Sequence, residues 1–107
     1  MTAVDRERLS ALVARERELY SRTHPKSQAA FEAADNLFGR VPMTWMNKWS
    51  GGFPLYLDQA HGNRILDIDG NEYIDFALGD TGAMTGHSPK ETVEAINKRL
   101  NVLGGIT

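Results

Sequence analysis

Between Gly51 and Pro89 the chain reads GGFPLYLDQAHGNRILDIDGNEYIDFALGDTGAMTGHSP, where apolar alternation is interrupted at intervals by residues that tolerate tight turns. Phe53, Leu55 and Leu57 alternate and predict a strand over Phe53 to Leu57. A turn at Ala60 to Asn63 leads into a second apolar run, Ile65 to Ile68. Asp69-Gly70-Asn71 supplies residues that accept positive φ, and alternation resumes from Tyr73 to Leu78 through Ile74, Phe76 and Leu78. This pattern predicts a three-stranded antiparallel meander, too small to stand in water without something packed on its apolar face.

Helical periodicity flanks the meander. From Val4 to about Tyr20, Leu9, Leu12, Val13, Leu19 and Tyr20 recur at helical spacings among Arg and Glu, which predicts one amphipathic helix with a solvated charged face. The Thr23-His24-Pro25 step interrupts it, because the ring of Pro25 restricts His24 to extended geometry. A second helix is expected from Ser27 as N-cap, with Phe31, Ala34 and Phe38 on one side and Gly39 ending it. Arg40 to Gly52 has no clean period but contains Pro42, Trp45 and Trp49, so it reads as an ordered loop in which the indoles pack within the subunit or across an interface. After Gly86-His87, Ser88 is expected to cap a third helix, with Pro89 at its first position and Glu91 completing a capping box. Val93, Ile96, Leu100 and Leu103 continue one face of that helix until Gly104-Gly105. The fold class is α+β: N-terminal helices over 1–39, then the tryptophan loop, meander and glycine loop over 40–87, then a helix over 88–107.

A chain of 107 residues buries a modest core at best. Its formal charge of -2 comes from mixed signs without a basic stripe, which argues against a nucleic-acid partner. Without cysteine there is no disulfide framework or thiolate metal site, in keeping with a reducing cytoplasm. The N-terminal MTAVDRERL lacks the apolar run of a signal peptide, and no stretch approaches a membrane span, so a soluble protein with no membrane partner is expected.

Several clusters invite chemical readings. Asp67-Ile68-Asp69-Gly70-Asn71 gathers oxygen ligands, but its glycine is fourth and its twelfth position is Leu78, so the EF-hand spacing fails and a hairpin turn is expected instead of a metal. Gly79, Gly82 and Gly86 precede a helix and could expose amides to an anion, yet they match neither a dinucleotide fingerprint nor a P-loop. Glycines that let the backbone turn and approach another surface are the simpler explanation. His24, His61 and His87 have no acid or nucleophile at a telling spacing and read as surface or hydrogen-bonded histidines.

The ordered combination of Gly52-Phe53-Pro54, Arg64 to Gly70, Tyr73-Ile74-Asp75-Phe76 and the loop from Gly79 to His87 resembles the N-terminal part of class III, fold-type I pyridoxal-phosphate enzymes. These are the aminotransferases and glutamate-1-semialdehyde aminomutases. The resemblance implies part of the small domain of such an enzyme, with residues 88–107 leading toward a large domain, and a homodimer for the whole. It implies transfer of an amino group between an amino acid or amine donor and a 2-oxo acid acceptor through pyridoxal 5'-phosphate, whose ligands lie downstream in the family. Lys26, Lys48, Lys90 and Lys98 do not correspond to the aldimine lysine, so this chain alone is expected to be inactive. Substrate contacts are expected from Arg40, Trp45, Asp80, Thr81 and Gly82. Aminomutases place a carboxylate-binding arginine where this chain has Trp45 and a loop aromatic where it has Asp80, and an indole offers no bidentate fork to a carboxylate. Arg40 or Lys48 would have to substitute, which leaves aminomutase chemistry as the alternative to a transferase. A noncatalytic α+β module using the tryptophan loop for protein contact is the reading from a different class.

Overall fold

The computed structural model describes residues 4–104, which fall into two compact units divided between Tyr56 and Leu57. Each is described by itself.

The first unit opens with α1, Arg6–Thr23, which starts where the Asp5 carboxylate accepts a hydrogen bond from the Arg8 amide at 3.0 Å. It runs three residues beyond the expected Tyr20 end, and Thr23 closes it by bonding its hydroxyl back to the Leu19 carbonyl at 2.9 Å. Helix α2, Pro25–Ala33, begins earlier than expected, with Pro25 in the first turn. Proline has no N–H to leave unsatisfied there, so the residue that ends α1 also starts α2. Ser27 is therefore not an N-cap; it sits fully buried within the first turn of the helix. Nor does α2 extend to Gly39: it stops at Ala33, and Phe38 belongs to a separate 3₁₀ turn, Phe38–Arg40, with its side chain 83% exposed. Gly39 does adopt positive φ, at 67°, within that turn. A second 3₁₀ turn spans Thr44–Asn47.

The expected strand over Phe53 to Leu57 is displaced. Pro54 carries no amide donor for a ladder, and Phe53 is instead buried in the first unit with its carbonyl accepting the Tyr20 hydroxyl at 3.0 Å. Tyr20 organises this unit: its ring lies 4.8 Å from that of Phe53 and 4.2 Å from that of His24. Gly51 passes so close beneath it that an added Cβ would stand 2.5 Å from ring carbons.

In the second unit, β1 (Leu57–His61), β2 (Arg64–Asp67) and β3 (Glu72–Ile74) form the expected antiparallel meander, in the order β1-β2-β3. Ala60 pairs with Ile65 and Ile65 with Tyr73, and a bulge shifts the register between Leu57 and Gln59. The third strand ends at Ile74 instead of Leu78 because the Asp75 carboxylate takes the amides of Ala77 and Leu78, at 2.8 and 3.0 Å, and turns the chain away from the ladder. Helix α3, Lys90–Lys98, widens into a π turn over Arg99–Leu103 and stops at Gly104, whose φ is 81°. Gly105 lies outside the described residues. The expected capping box does not form. Pro89 is the N-cap, while Ser88 sits at φ 52° and donates its hydroxyl to the Ala60 carbonyl at 3.2 Å. Among the described residues no helix is long and apolar enough to cross a membrane.

Candidate functional site: the glycine loop and the tryptophan segment

The β2–β3 turn shows how this chain uses carboxylates. Asp67, 1% exposed, accepts hydrogen bonds on Oδ1 from the amides of Asp69 and Asn71 at 3.0 and 2.8 Å. Its Oδ2 accepts from the Asn71 side-chain amide and the Tyr73 hydroxyl, both at 3.0 Å. Burial pushes the carboxyl upward, but these donors outweigh it and hold Asp67 below the ordinary carboxylate range. The acidic cluster is thus a hairpin turn, with Gly70 at φ 93°.

The loop that follows β3 is built on the same device with a longer reach. Asp75 Oδ1 holds the Ala77 and Leu78 amides where the loop begins, and its Oδ2 lies 2.7 Å from His87 Nε2 where the loop ends. The hydrogen bond from His87 is the main cause holding the Asp75 carboxyl below its usual range; partial burial opposes it and the Leu78 and Ala77 amides add to it. An ionised carboxylate only accepts, so Nε2 carries the proton in this pair. The backbone of His87 is fixed as well: its amide donates to the Gly62 carbonyl at 2.7 Å and its carbonyl accepts from the Gly62 amide at 2.9 Å. Gly86 makes this bridge possible. Its φ is 94°, and a Cβ there would lie 3.2 Å from the Gly62 Cα.

Between these anchors the backbone turns repeatedly, with Asp80 N donating to the Ala77 carbonyl, Gly82 N to Gly79, and Ala83 N to Leu78 at 3.1, 3.2 and 2.8 Å. Ala83 is buried and pins the loop's centre. Leu78, Asp80 and Thr81 hold positive φ of 57°, 52° and 74°. For a branched side chain such as Thr81 this conformation is strained, of order 1 kcal/mol or more, and persists where the surroundings over-determine it. Asp80, Thr81 and Gly82 are exposed at the turn.

The other sequence-predicted site residues belong to the first unit. Arg40 directs Nη1 at the Glu32 carbonyl, 2.5 Å away, and so satisfies an orphan acceptor near the C-terminal end of α2. Trp45 is 63% exposed, and Trp49, also exposed, borders an open apolar groove of about 560 Å³ with Leu12, Leu19, Tyr20 and Gly51. Within this chain neither indole is buried. Arg40 and Trp45 lie in one unit and Asp80 to Gly82 in the other.

His24 and His87 are hydrogen-bonded, as expected: His24 is buried with Nδ1 2.7 Å from the Tyr20 carbonyl. The acid partner of His87 was not visible in the sequence, because Asp75 lies twelve residues away and only the loop's return brings them together. A cofactor aldehyde requires an amine held in a desolvated pocket. Lys26, Lys48, Lys90 and Lys98 are all exposed, and none lines the groove. Among the described residues, none of these lysines is placed to hold pyridoxal phosphate.

No family model matches the chain. It is 55% identical over 81 residues to a glutamate-1-semialdehyde 2,1-aminomutase of Syntrophus aciditrophicus, covering 73% of this chain and 18% of that enzyme. The crystal structure of a glutamate-1-semialdehyde aminomutase from Pseudomonas aeruginosa PAO1 matches with a TM-score of 0.82 at 37% identity, over 92% of this chain and 22% of that one. That enzyme is also known in complex with PMP. A β-phenylalanine aminotransferase from Variovorax paradoxus matches with a TM-score of 0.71 at 26% identity, over 92% of this chain and 24% of that one. The chain thus spans about a fifth of the length of these relatives. By sequence over most of its length and by fold over nearly all of it, the chain is similar to an N-terminal segment of class III, fold-type I pyridoxal-phosphate aminomutases and aminotransferases, consistent with part of their small domain.

Proposed function

We propose that this chain is the substrate-recognition segment of a class III aminotransferase-like enzyme that moves an amino group between an amino acid or amine and a 2-oxo acid. The observation that carries the reading is the agreement in fold and sequence with an aminomutase and an aminotransferase over 92% of the chain. Pyridoxal phosphate would supply the electron sink, held by residues outside this chain, and the segment alone would be inert. In the complete protein the glycine loop would face substrate through Asp80, Thr81 and Gly82, with Arg40 and Trp45 contributing from the first unit. A cytoplasmic homodimer is the assembly this reading carries, with residues 88–107 leading into the large domain.

A second reading, glutamate-1-semialdehyde aminomutase, is favoured by the 55% identity to an enzyme of that name. Against it stand Trp45 and Asp80, which replace the guanidinium and the loop aromatic expected for that substrate. The experiment is to express the full reading frame that contains residues 1–107, test it for a pyridoxal-phosphate absorbance band, and assay it both with glutamate-1-semialdehyde and with a panel of amino donors and 2-oxo acids. Turnover of several donors with a 2-oxo acid supports the transferase. Isomerisation of the semialdehyde without an external acceptor supports the mutase, and a protein that binds no cofactor overturns both in favour of a noncatalytic module.

A further inference from the structure

We propose that Asp75 and His87 are positioning residues that latch the glycine loop at both ends, and that selectivity among amino donors depends on this latch. The inference rests on the reading above that Asp80 to Gly82 face substrate.

One carboxylate spans the loop: Oδ1 takes the amides of Ala77 and Leu78 at its start, and Oδ2 takes His87 Nε2–H at its end, 2.7 Å away. The Asp75 side chain is 9% exposed and that of His87 22%, so water competes poorly for the bond. The two-way backbone bridge between His87 and Gly62 ties the same end of the loop to the β1–β2 hairpin. Three non-glycine residues inside the loop hold positive φ, a conformation that relaxes unless its ends are fixed. Neither Asp75 nor His87 needs to touch substrate for this role. Their effect passes through the placement of Asp80, Thr81 and Gly82, where an error of about 1 Å costs up to roughly a hundredfold in rate.

The test uses the complete holoenzyme with His87→Leu, which keeps volume but removes the donor, and His87→Gln, whose side-chain amide can still donate toward Asp75. Loop amide exchange at Ala77, Leu78 and Gly62 is read beside kcat/KM for the donor panel, with Asp80→Ala as the reference for direct loop contact. His87→Leu is expected to speed exchange at those amides about tenfold or more and to flatten the ratio of kcat/KM between good and poor donors, and His87→Gln to restore both to within about threefold of wild type. Should the leucine variant not fold, His87→Asn, one bond too short to reach Asp75, takes its place. If His87→Leu leaves exchange and donor ratios unchanged while Asp80→Ala shifts the ratios, the latch is wrong and the substrate reading stands. If Asp80→Ala lowers kcat/KM equally for every donor, the loop is not at the substrate and the inference falls with that reading.

Discussion

Replacing Asp67 by alanine should unfasten the second unit, because the carboxylate is the common acceptor of its central turn. The change removes the acceptor of four hydrogen bonds, two from backbone amides, one from the Asn71 side chain and one from the Tyr73 hydroxyl, at a site 1% exposed. Hydrogen bonds to a charged acceptor are worth about 1.5–3 kcal/mol each, and a buried donor left unpaired costs about 1–3 kcal/mol. Water entering the turn would recover part of this, so the net loss is about 3–5 kcal/mol, a large share of the total stability of a small domain. Asp67→Asn keeps the shape and the two amide bonds but turns an NH₂ toward the Asn71 donor, for a loss of about 1–3 kcal/mol. The wild-type advantage also has a pH signature. Since the folded carboxyl titrates below the ordinary value of 3.8, its stabilisation is present in full above that value and is lost as pH falls through the lower folded value. Native-state amide exchange at Asn71 and Asp69 in the complete protein, compared across the three forms, reads the effect at the turn itself. Protection in Asp67→Ala equal to wild type would show that the turn stands without its carboxylate and would refute the reasoning.

The glycines give ranked expectations. Gly86→Ala should cost about 1–3 kcal/mol by thermal melt, since the new Cβ meets both a φ of 94° and the Gly62 backbone at 3.2 Å. Gly70→Val meets open space at φ 93°, so it should cost about 1 kcal/mol from backbone strain alone; an unchanged melting temperature would deny that the turn requires glycine. Gly51→Ala should destabilise the first unit by about 1–3 kcal/mol, because the Tyr20 ring 2.5 Å from the new atom is held by Phe53 and cannot swing aside freely; helix loss followed by circular dichroism checks it. Residues 1–107 expressed alone should self-associate and bind an apolar dye, as Phe76 at 88% exposure, Val102 at 73% and Leu103 at 60% lie open; a monomer with a cooperative melt would contradict this.

What could be read from the sequence was what local contacts decide. The meander follows from alternation and from Asp69-Gly70-Asn71, and its strands pair in the expected order. The helix boundaries went astray at Pro25 and Ser88, where the same residues admit two local roles and the tertiary contact chooses. Ser27 is buried in α2 instead of capping it, and the Ser88 hydroxyl is taken by the Ala60 carbonyl across the sheet. Phe53 alternates like a strand residue, yet Pro54 beside it withholds a ladder donor, and the tyrosine of α1 claims its carbonyl. The latch of Asp75 on His87 had no sequence signature, because the two lie twelve positions apart and only the positive-φ turns bring the ends together.

Three of the aspartates nonetheless follow one rule. Asp5 accepts the amide three residues on, Asp67 those two and four on, and Asp75 those two and three on. Each begins as a local competitor to regular structure. A carboxylate has a second oxygen, however, and in Asp67 and Asp75 that oxygen is carried to a partner that local spacing does not specify: the Tyr73 hydroxyl across the hairpin and the His87 ring across the loop. The first oxygen makes the turn legible in the sequence, and the second makes it rigid in the fold. It follows that an asparagine at either position would preserve the local turn while weakening the distant tie, whereas alanine would lose both. The order alanine, asparagine, aspartate in amide protection, at both Asp67 and Asp75, is the pattern this division of labour requires.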